Sequence, residues 1–340
     1  MSPEGAVPRL PYARALVTGG AGFIGSHVVA ELLAAGVAVR CLLMPGDPAP
    51  SLAGLDVERV VGDLTDRDAL TRAARGCDVV FNLAAIYAIW LPRRERMFEV
   101  NVGGTVAVLD AARAAGVRRV VHTSSIAAVG HRPGRALADE TDLFSDWTLG
   151  NDYVLSKYLA EVEAFARRAD DLEVVCANPA FPFGARDTGP TPTGQMILDI
   201  LRGRLPFVAE GGFNAVDVRD VARGHLLAAL HGRSGERYIL GGDNVPFRDF
   251  ADEVARRAGR RPPPVTAPTA LLRAAGLASE WIADRVTRRP PQLTRGSVAY
   301  LAGRFSYFST AKAERELGYR PRPIADALDA SIGWFREHRV

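Results

Sequence analysis

The sequence predicts an α/β fold, a doubly wound parallel sheet with a smaller C-terminal substrate lobe. Three observations carry that reading. Short apolar runs alternate with stretches of helical spacing through the first half of the chain. Glycines stand at three-residue steps where the first of those runs ends, in VTGGAGFIG at 17–25. After Asn178 the text turns to a mixture of Pro, Gly and Phe that returns only briefly to strand and helix.

The runs at 15–17, 38–43, 57–61, 79–83, 120–123 and 174–178 are mostly Val- and Leu-rich, and each fits a strand buried on both faces. Between them, 26–35, 66–74, 105–115 and 152–169 have helical spacing. Strand and helix resume at 215–230 and 237–240, and the prolines at 262–264 and 290–291 bracket a helical stretch at 269–286. The expected division is a nucleotide-binding domain at 12–178, to which 213–240 returns, and a substrate lobe formed by 179–212 and 241–323.

Composition narrows the partners. In 340 residues Lys and Arg number 42 against 39 Asp and Glu, and they are scattered, which indicates neither a nucleic-acid groove nor a membrane surface. A small-molecule partner is expected. Cys41, Cys77 and Cys176 are few, odd in number and set in or beside apolar runs, so they read as buried reduced thiols and point to a cytoplasmic home. The opening MSPEGAVPRLPY lacks the apolar core of a signal peptide, and no stretch is long and uncharged enough to cross a bilayer. No metal-ligand pattern is expected.

Gly19, Gly22 and Gly25 close a strand and open a helix. The first allows a tight turn, the second lets backbone N–H groups approach a pyrophosphate, and the third permits close helix packing, so the turn predicts a dinucleotide on a Rossmann fold. A ligand-free tight turn is the plainer alternative. Further on, Thr123-Ser124-Ser125 ends a strand and Tyr153 and Lys157 stand four apart on one helix face. An ammonium near a phenol would favour the phenolate and lower a pKa that is ordinarily about 10. A serine hydroxyl beside it would hold the same substrate oxygen. A solvated helix face is the alternative for the Tyr/Lys pair.

The motifs TGGAGFIG, GDL (62–64), NLAA (82–85), NVGGT (101–105), TSS and YVLSK, in this order along nearly the whole chain, resemble the extended short-chain dehydrogenases/reductases. The resemblance implies a nicotinamide dinucleotide held by Gly19, Gly22, Phe23, Ile24, Gly25, Asp63, Leu64, Ala84, Ala85, Tyr153, Lys157 and Asn178. Asp63 would accept from the adenine amine, and Asn101 would brace the active site. It also implies Ser125 as the catalytic hydroxyl, Tyr153 as acid/base and Lys157 as its partner, and a homodimer paired through helices at 100–115 and 152–169. Asp63 as a turn former and Asn101 as a helix cap are the plainer readings.

Within that superfamily NPAFPFGARD (178–187), PTPTG (190–194), GERYILGG (235–242) and ELGYRPRP (316–323) resemble the hopanoid-associated sugar epimerases and dihydroflavonol-reductase-like enzymes. Nucleotide-sugar enzymes of this kind carry an Asn where Phe181 stands and an Arg where Phe213-Asn214 stand, and Ile126-Ala127 cannot serve as the acid pair of a sugar dehydratase. Apolar residues replace these anchors. Ile86, Tyr87, Trp90, Phe181 and Phe183 follow strand ends and are expected at a fairly hydrophobic substrate. The reading is therefore an NAD(P)-dependent ketone or aldehyde reductase, or a secondary-alcohol dehydrogenase. A nucleotide-sugar epimerase or dehydratase, with Arg186, Arg202 and Arg204 closing on the diphosphate, is the alternative, and a non-catalytic cofactor sensor a third. Leu43 replaces the acidic residue expected of an NAD site and Met44 the arginine of an NADP site, so the cofactor is NADP or NAD, with a tilt to NADP.

Overall fold

A computed structural model describes residues 7–88, 91–287 and 295–338. The first half alternates as the apolar runs predict: β1 (Arg14–Thr18), α1 (Phe23–Ala34), β2 (Ala38–Leu43), β3 (Val57–Val61), α2 (Arg67–Ala74), β4 (Val79–Asn82) and a short α3 (Glu95–Phe98). A π-helical turn at Glu99–Gly103 joins α3 to α4 (Gly104–Ala114), followed by β5 (Arg119–Thr123), α5 (Asp152–Ala166) and β6 (Glu173–Pro179). The chain continues through β7 (Phe181–Phe183), α6 (Pro192–Leu201), β8 (Phe207–Ala209), β9 (Gly211–Asp217), α7 (Val218–His231) and β10 (Arg237–Leu240). It ends with β11 (Asp243–Pro246), α8 (Phe247–Ala258), β12 (Val265–Ala267), α9 (Thr269–Ile282), α10 (Arg295–Leu301), β13 (Arg304–Ser306), α11 (Ala311–Leu317) and α12 (Ile324–Glu337).

Seven parallel strands form the main sheet in the order β10-β6-β5-β4-β1-β2-β3. The order reverses between β1 and β4, which opens a crevice at the strand C-termini. One face buries Val17, Val28, Leu32, Val121, Val221 and Leu226 under α1 and α7; the other buries Leu16, Leu70, Val80, Leu109 and Val174 under α2, α4 and α5. Each such aliphatic side chain contributes about 1.5–3 kcal/mol by leaving water. The strand at 57–61 departs from the expected two-sided burial: it is the sheet edge, and Glu58, Arg59 and Val61 are exposed.

A second sheet gathers β7, β11 and β13 around β9, and a third pairs β8 with β12. Phe183, Phe213, Phe247 and Phe250 pack together beside them with α6, α8 and α12. The helical stretch expected at 269–286 is α9 continued by a π-helical turn at Ala283–Thr287; the proline pair at 290–291 lies outside the described residues. Among the described residues no helix is long and apolar enough to cross a membrane.

Candidate active site

The crevice holds a cleft of about 560 Å³ that runs from the glycine turn, past the ends of β5 and β6, to α10. At one end Gly19, Gly22, Phe23, Ile24 and Gly25 line it. Gly19 has φ of +69°, and a Cβ there would lie 2.7 Å from the Ala84 nitrogen. A Cβ on Gly25 would lie 2.0 Å from the Gly19 carbonyl oxygen. Side chains are therefore excluded from both positions. Helix α1 starts at this turn with no side-chain cap and no acidic residue in its first turn, so its N–H groups and positive dipole end face the cleft. These residues fit the diphosphate of a nicotinamide dinucleotide.

Ser125, Tyr153 and Lys157 meet at the middle of the cleft wall. Ser125 ends the loop after β5 and caps a short helical turn, its Oγ accepting from the Ala127 nitrogen at 3.1 Å. Asn151 caps α5, which places Tyr153 and Lys157 one turn apart. The Ser125 hydroxyl and the Tyr153 phenol share a hydrogen bond, which favours the phenolate, but burial outweighs it and pushes the phenol up to about 12. Burial likewise pushes the Lys157 ammonium down to about 8. The lowered phenol pKa expected from the Tyr/Lys spacing is thus not met, because burial dominates; the Lys157 Nζ donates to the Thr123 carbonyl at 2.7 Å.

Two buried networks hold this arrangement. Asn101 sits in the π-helical turn; its side-chain oxygen accepts from the Ile86 nitrogen at 2.7 Å, and its amide donates to the Ile86 carbonyl and, at 2.9 Å, to Ser156 Oγ. It ties the loop after β4 to α5 rather than capping a helix. On the other side Asn178 donates to the Ser125 carbonyl at 2.9 Å and to Glu161 at 2.7 Å. Glu161, one turn beyond Lys157 and buried, pairs with Arg237 at 3.0 Å. Arg237 also donates to the carbonyls of Ala128, Glu140 and Asp142, so β10 fixes the segment that follows Ser125.

Several expected residues stand elsewhere. Asn178, expected at the cofactor, is fully buried beneath Ser125. Leu64 packs against Gly104 between sheet and helix, away from the cleft. Asp63 forms a turn, its carboxylate accepting from the Thr65 nitrogen and hydroxyl at 2.8 Å with Arg96 at 3.6 Å. Ala85 lines the cleft, whereas Ala84 serves as the backbone surface against which Gly19 rests.

Of the expected substrate residues, Tyr87 and Phe181 line the cleft, the Tyr87 ring lying 4.8 Å from that of Tyr153. Phe183 does not: it shares the Phe181 side of β7, where both rings meet Phe213, but lies deeper in the aromatic core, fully buried and 4.7 Å from Phe250. Ile86 is also absent from the lining, its backbone being clamped by Asn101. Trp90 lies outside the described residues. Tyr300, Met196, Phe247 and Asp187, which spacing did not single out, complete the wall. Asp187 is buried, accepts from the Thr191 nitrogen and hydroxyl, and has its carboxyl pushed up by burial. Among the described residues the lining holds no arginine, and its one cation is Lys157.

Comparison with known proteins accords with this geometry. The sequence profile of the NAD dependent epimerase/dehydratase family matches residues 15–241. A Synechocystis protein provisionally named dihydroflavonol 4-reductase is 37% identical over 329 residues, 95% of this chain and 94% of that one. Sterol demethylase protein B of Methylococcus capsulatus is 35% identical over 95% of this chain and 98% of its own. Among solved structures, that of gox2253 superposes with a TM-score of 0.85 at 42% identity, covering 96% of this chain and 98% of the other. The dTDP-glucose 4,6-dehydratase DesIV from Streptomyces venezuelae, solved with NAD bound, gives 0.75 at 28% identity over 96% and 98%.

Proposed function

This chain belongs to the NAD-dependent epimerase/dehydratase family, and from that premise we propose that it reduces a ketone or aldehyde, or oxidises the matching alcohol, on a fairly hydrophobic small molecule. One observation carries the reading: around Ser125 and Tyr153 the described lining includes Tyr87, Phe181, Phe213, Tyr300 and Leu301 and holds no arginine to meet a diphosphate. Burying charged phosphate oxygens against aromatic carbon costs several kcal/mol without such a partner. Relatives named as a reductase and a sterol-processing protein fit the same reading.

Gly19, Gly22 and Gly25 with the start of α1 would hold the dinucleotide, whose nicotinamide would supply or accept the hydride. Ser125 and Tyr153 hold the substrate oxygen between two hydroxyls. In the reducing direction Tyr153 gives its proton to that oxygen as negative charge develops there. Lys157 keeps a positive charge behind the phenol, and the aromatic wall excludes water. On cofactor choice, β2 ends without a carboxylate facing a ribose: Leu43 is buried, and the next acid in sequence, Asp47, is occupied by the Ala49 nitrogen at 2.8 Å. Arg40 is tied to Ala73, Arg75 and Glu58. NADP is favoured over NAD on that ground. A homodimer through α4 and α5 completes the proposal.

Calorimetry on the cofactor-loaded protein tests the reading. Micromolar binding of apolar ketones and none of UDP- or dTDP-sugars is expected; the reverse selectivity would restore the nucleotide-sugar reading.

A further inference from the structure

The sheet face that α5 covers changes character toward the strand ends. Leu16, Val80, Val120 and Val174 stand opposite one another on β1, β4, β5 and β6 and form an apolar row. One pleat further on, on the same face, the row is Thr18, Asn82, His122 and Cys176, all buried. The hydrogen bonds of this row run in one direction. The Ala84 nitrogen donates to Thr18 Oγ1 at 3.3 Å, so the Thr18 hydroxyl gives its own hydrogen to Asn82 Oδ1 at 2.7 Å. The Asn82 amide then donates to His122 Nδ1 at 3.1 Å. A neutral imidazole that accepts at Nδ1 carries its hydrogen on Nε2. That nitrogen is buried with no partner among the described residues, where buried donors are ordinarily paired.

Lys157 is the charge beside it. Its Nζ crosses from α5 to the carbonyl of Thr123, the residue after His122, and leaves two of its three hydrogens for other partners. Burial, aided by that ammonium, holds the imidazole well below its usual range and so uncharged. Around the lysine the other titratable groups are Tyr153 and Glu161 on its own helix and Cys176 on β6. His225 lies on the α7 side of β5, its two nitrogens taken by Thr123 and Val221. Burial pushes the lysine down, and Cys176 and Glu161 pull the other way.

We propose that Thr18 and Asn82 fix His122 so that it presents an N–H, and not a lone pair, to Lys157, and that His122 is thereby a positioning residue that readies Lys157 to release its proton. The positive end of an N–H dipole beside an ammonium raises the energy of the charged form, whereas beside a neutral amine it is a hydrogen-bond donor. His122 does not line the cleft and acts through the lysine alone. Its use in a proton step rests on the oxidoreductase reading; the pairing itself does not.

Lys157 and Lys312 are the only lysines of the chain, so protein isotope-labelled in its lysine side chains gives two NMR signals, and Lys312→Arg tells them apart. Their titration needs no substrate, so its failure is distinct from failure of the enzymatic reading. In the wild type Lys157 loses its proton at about pH 8. In His122→Leu that inflection rises by about one pH unit, tenfold in the proton equilibrium. Asn82→Leu keeps the imidazole but frees it to turn a lone pair to the ammonium, and the inflection rises in the same direction. An inflection that stays at its wild-type pH in either folded variant overturns the proposal. The wild-type ring gives a second reading that does not depend on either variant folding: NMR of the labelled His122 imidazole finds its hydrogen on Nε2 and its signals move as Lys157 titrates. A hydrogen on Nδ1, or ring signals that ignore the lysine, overturns the proposal as well.

Discussion

Tyr153 is a phenol pushed up to about 12, hydrogen-bonded to Ser125, at the wall of an aromatic cleft. Under the proposed function it delivers its proton to a substrate oxygen held between the two hydroxyls. Tyr153→Phe is expected to lower turnover by about two to four powers of ten while cofactor affinity, measured by calorimetry, stays at the wild-type value. Lys157, with its ammonium pushed down to about 8, predicts an alkaline limb. Above that pH the side chain loses its proton and its positive charge behind the phenol, so kcat for reduction falls as pH rises through about 8. A profile of kcat that stays flat through this region would remove the lysine charge from the mechanism. Glu161 acts through others, pairing with Arg237 and holding Asn178 under the Ser125 carbonyl. Glu161→Ala leaves that arginine and amide without their partner, and a loss of about 3 kcal/mol in urea unfolding is expected.

At the scale of elements, the glycine turn and α1 form one unit, because the space that would take side chains is filled by Ala84 and by the Gly19 carbonyl. Gly25→Ala forces a Cβ to within 2.0 Å of that carbonyl, so the turn must open. The expected result is a loss of about a hundredfold or more in dinucleotide affinity, read by calorimetry, since the N–H groups no longer converge on one anion. This unit was legible in the sequence because glycine spacing, strand end and helix start all fall within nine residues. The alternation of β1 to β6 with helices was legible for the same local reason. The burial of Phe183 was not: it shares a side of β7 with Phe181, and how deep each ring sits is set by the pairing of β7 with β9 and by Phe250, both distant in sequence. Tyr300 and Asp187 were not legible either, because helix α10 and the loop after β7, distant in sequence from the catalytic motifs, bring them to the wall and no local spacing marks them.

Across the whole molecule, the main sheet supplies one end of the cleft and the aromatic layer beside β9 supplies the other, so under the proposed function chemistry and selectivity come from different parts of the chain. The catalytic half announces itself in short motifs. Of the aromatic wall, Phe181 and Phe213 were singled out in the sequence, whereas Phe247 and Tyr300 carry no local mark until the fold gathers them. For the proposed pairing of two subunits through α4 and α5, light scattering at micromolar concentration is expected to give the mass of a dimer; the monomer mass would count against it. The central claim, that this cleft does redox chemistry on an apolar carbonyl, is tested most directly by following NADPH and NADH absorbance with purified protein across a panel of hydrophobic ketones and aldehydes and of nucleotide sugars. The account predicts stoichiometric consumption of reduced cofactor with members of the hydrophobic set, lost in Tyr153→Phe. Conversion of a UDP- or dTDP-sugar with the cofactor returned unchanged, and no oxidation of it by any ketone or aldehyde, would contradict it.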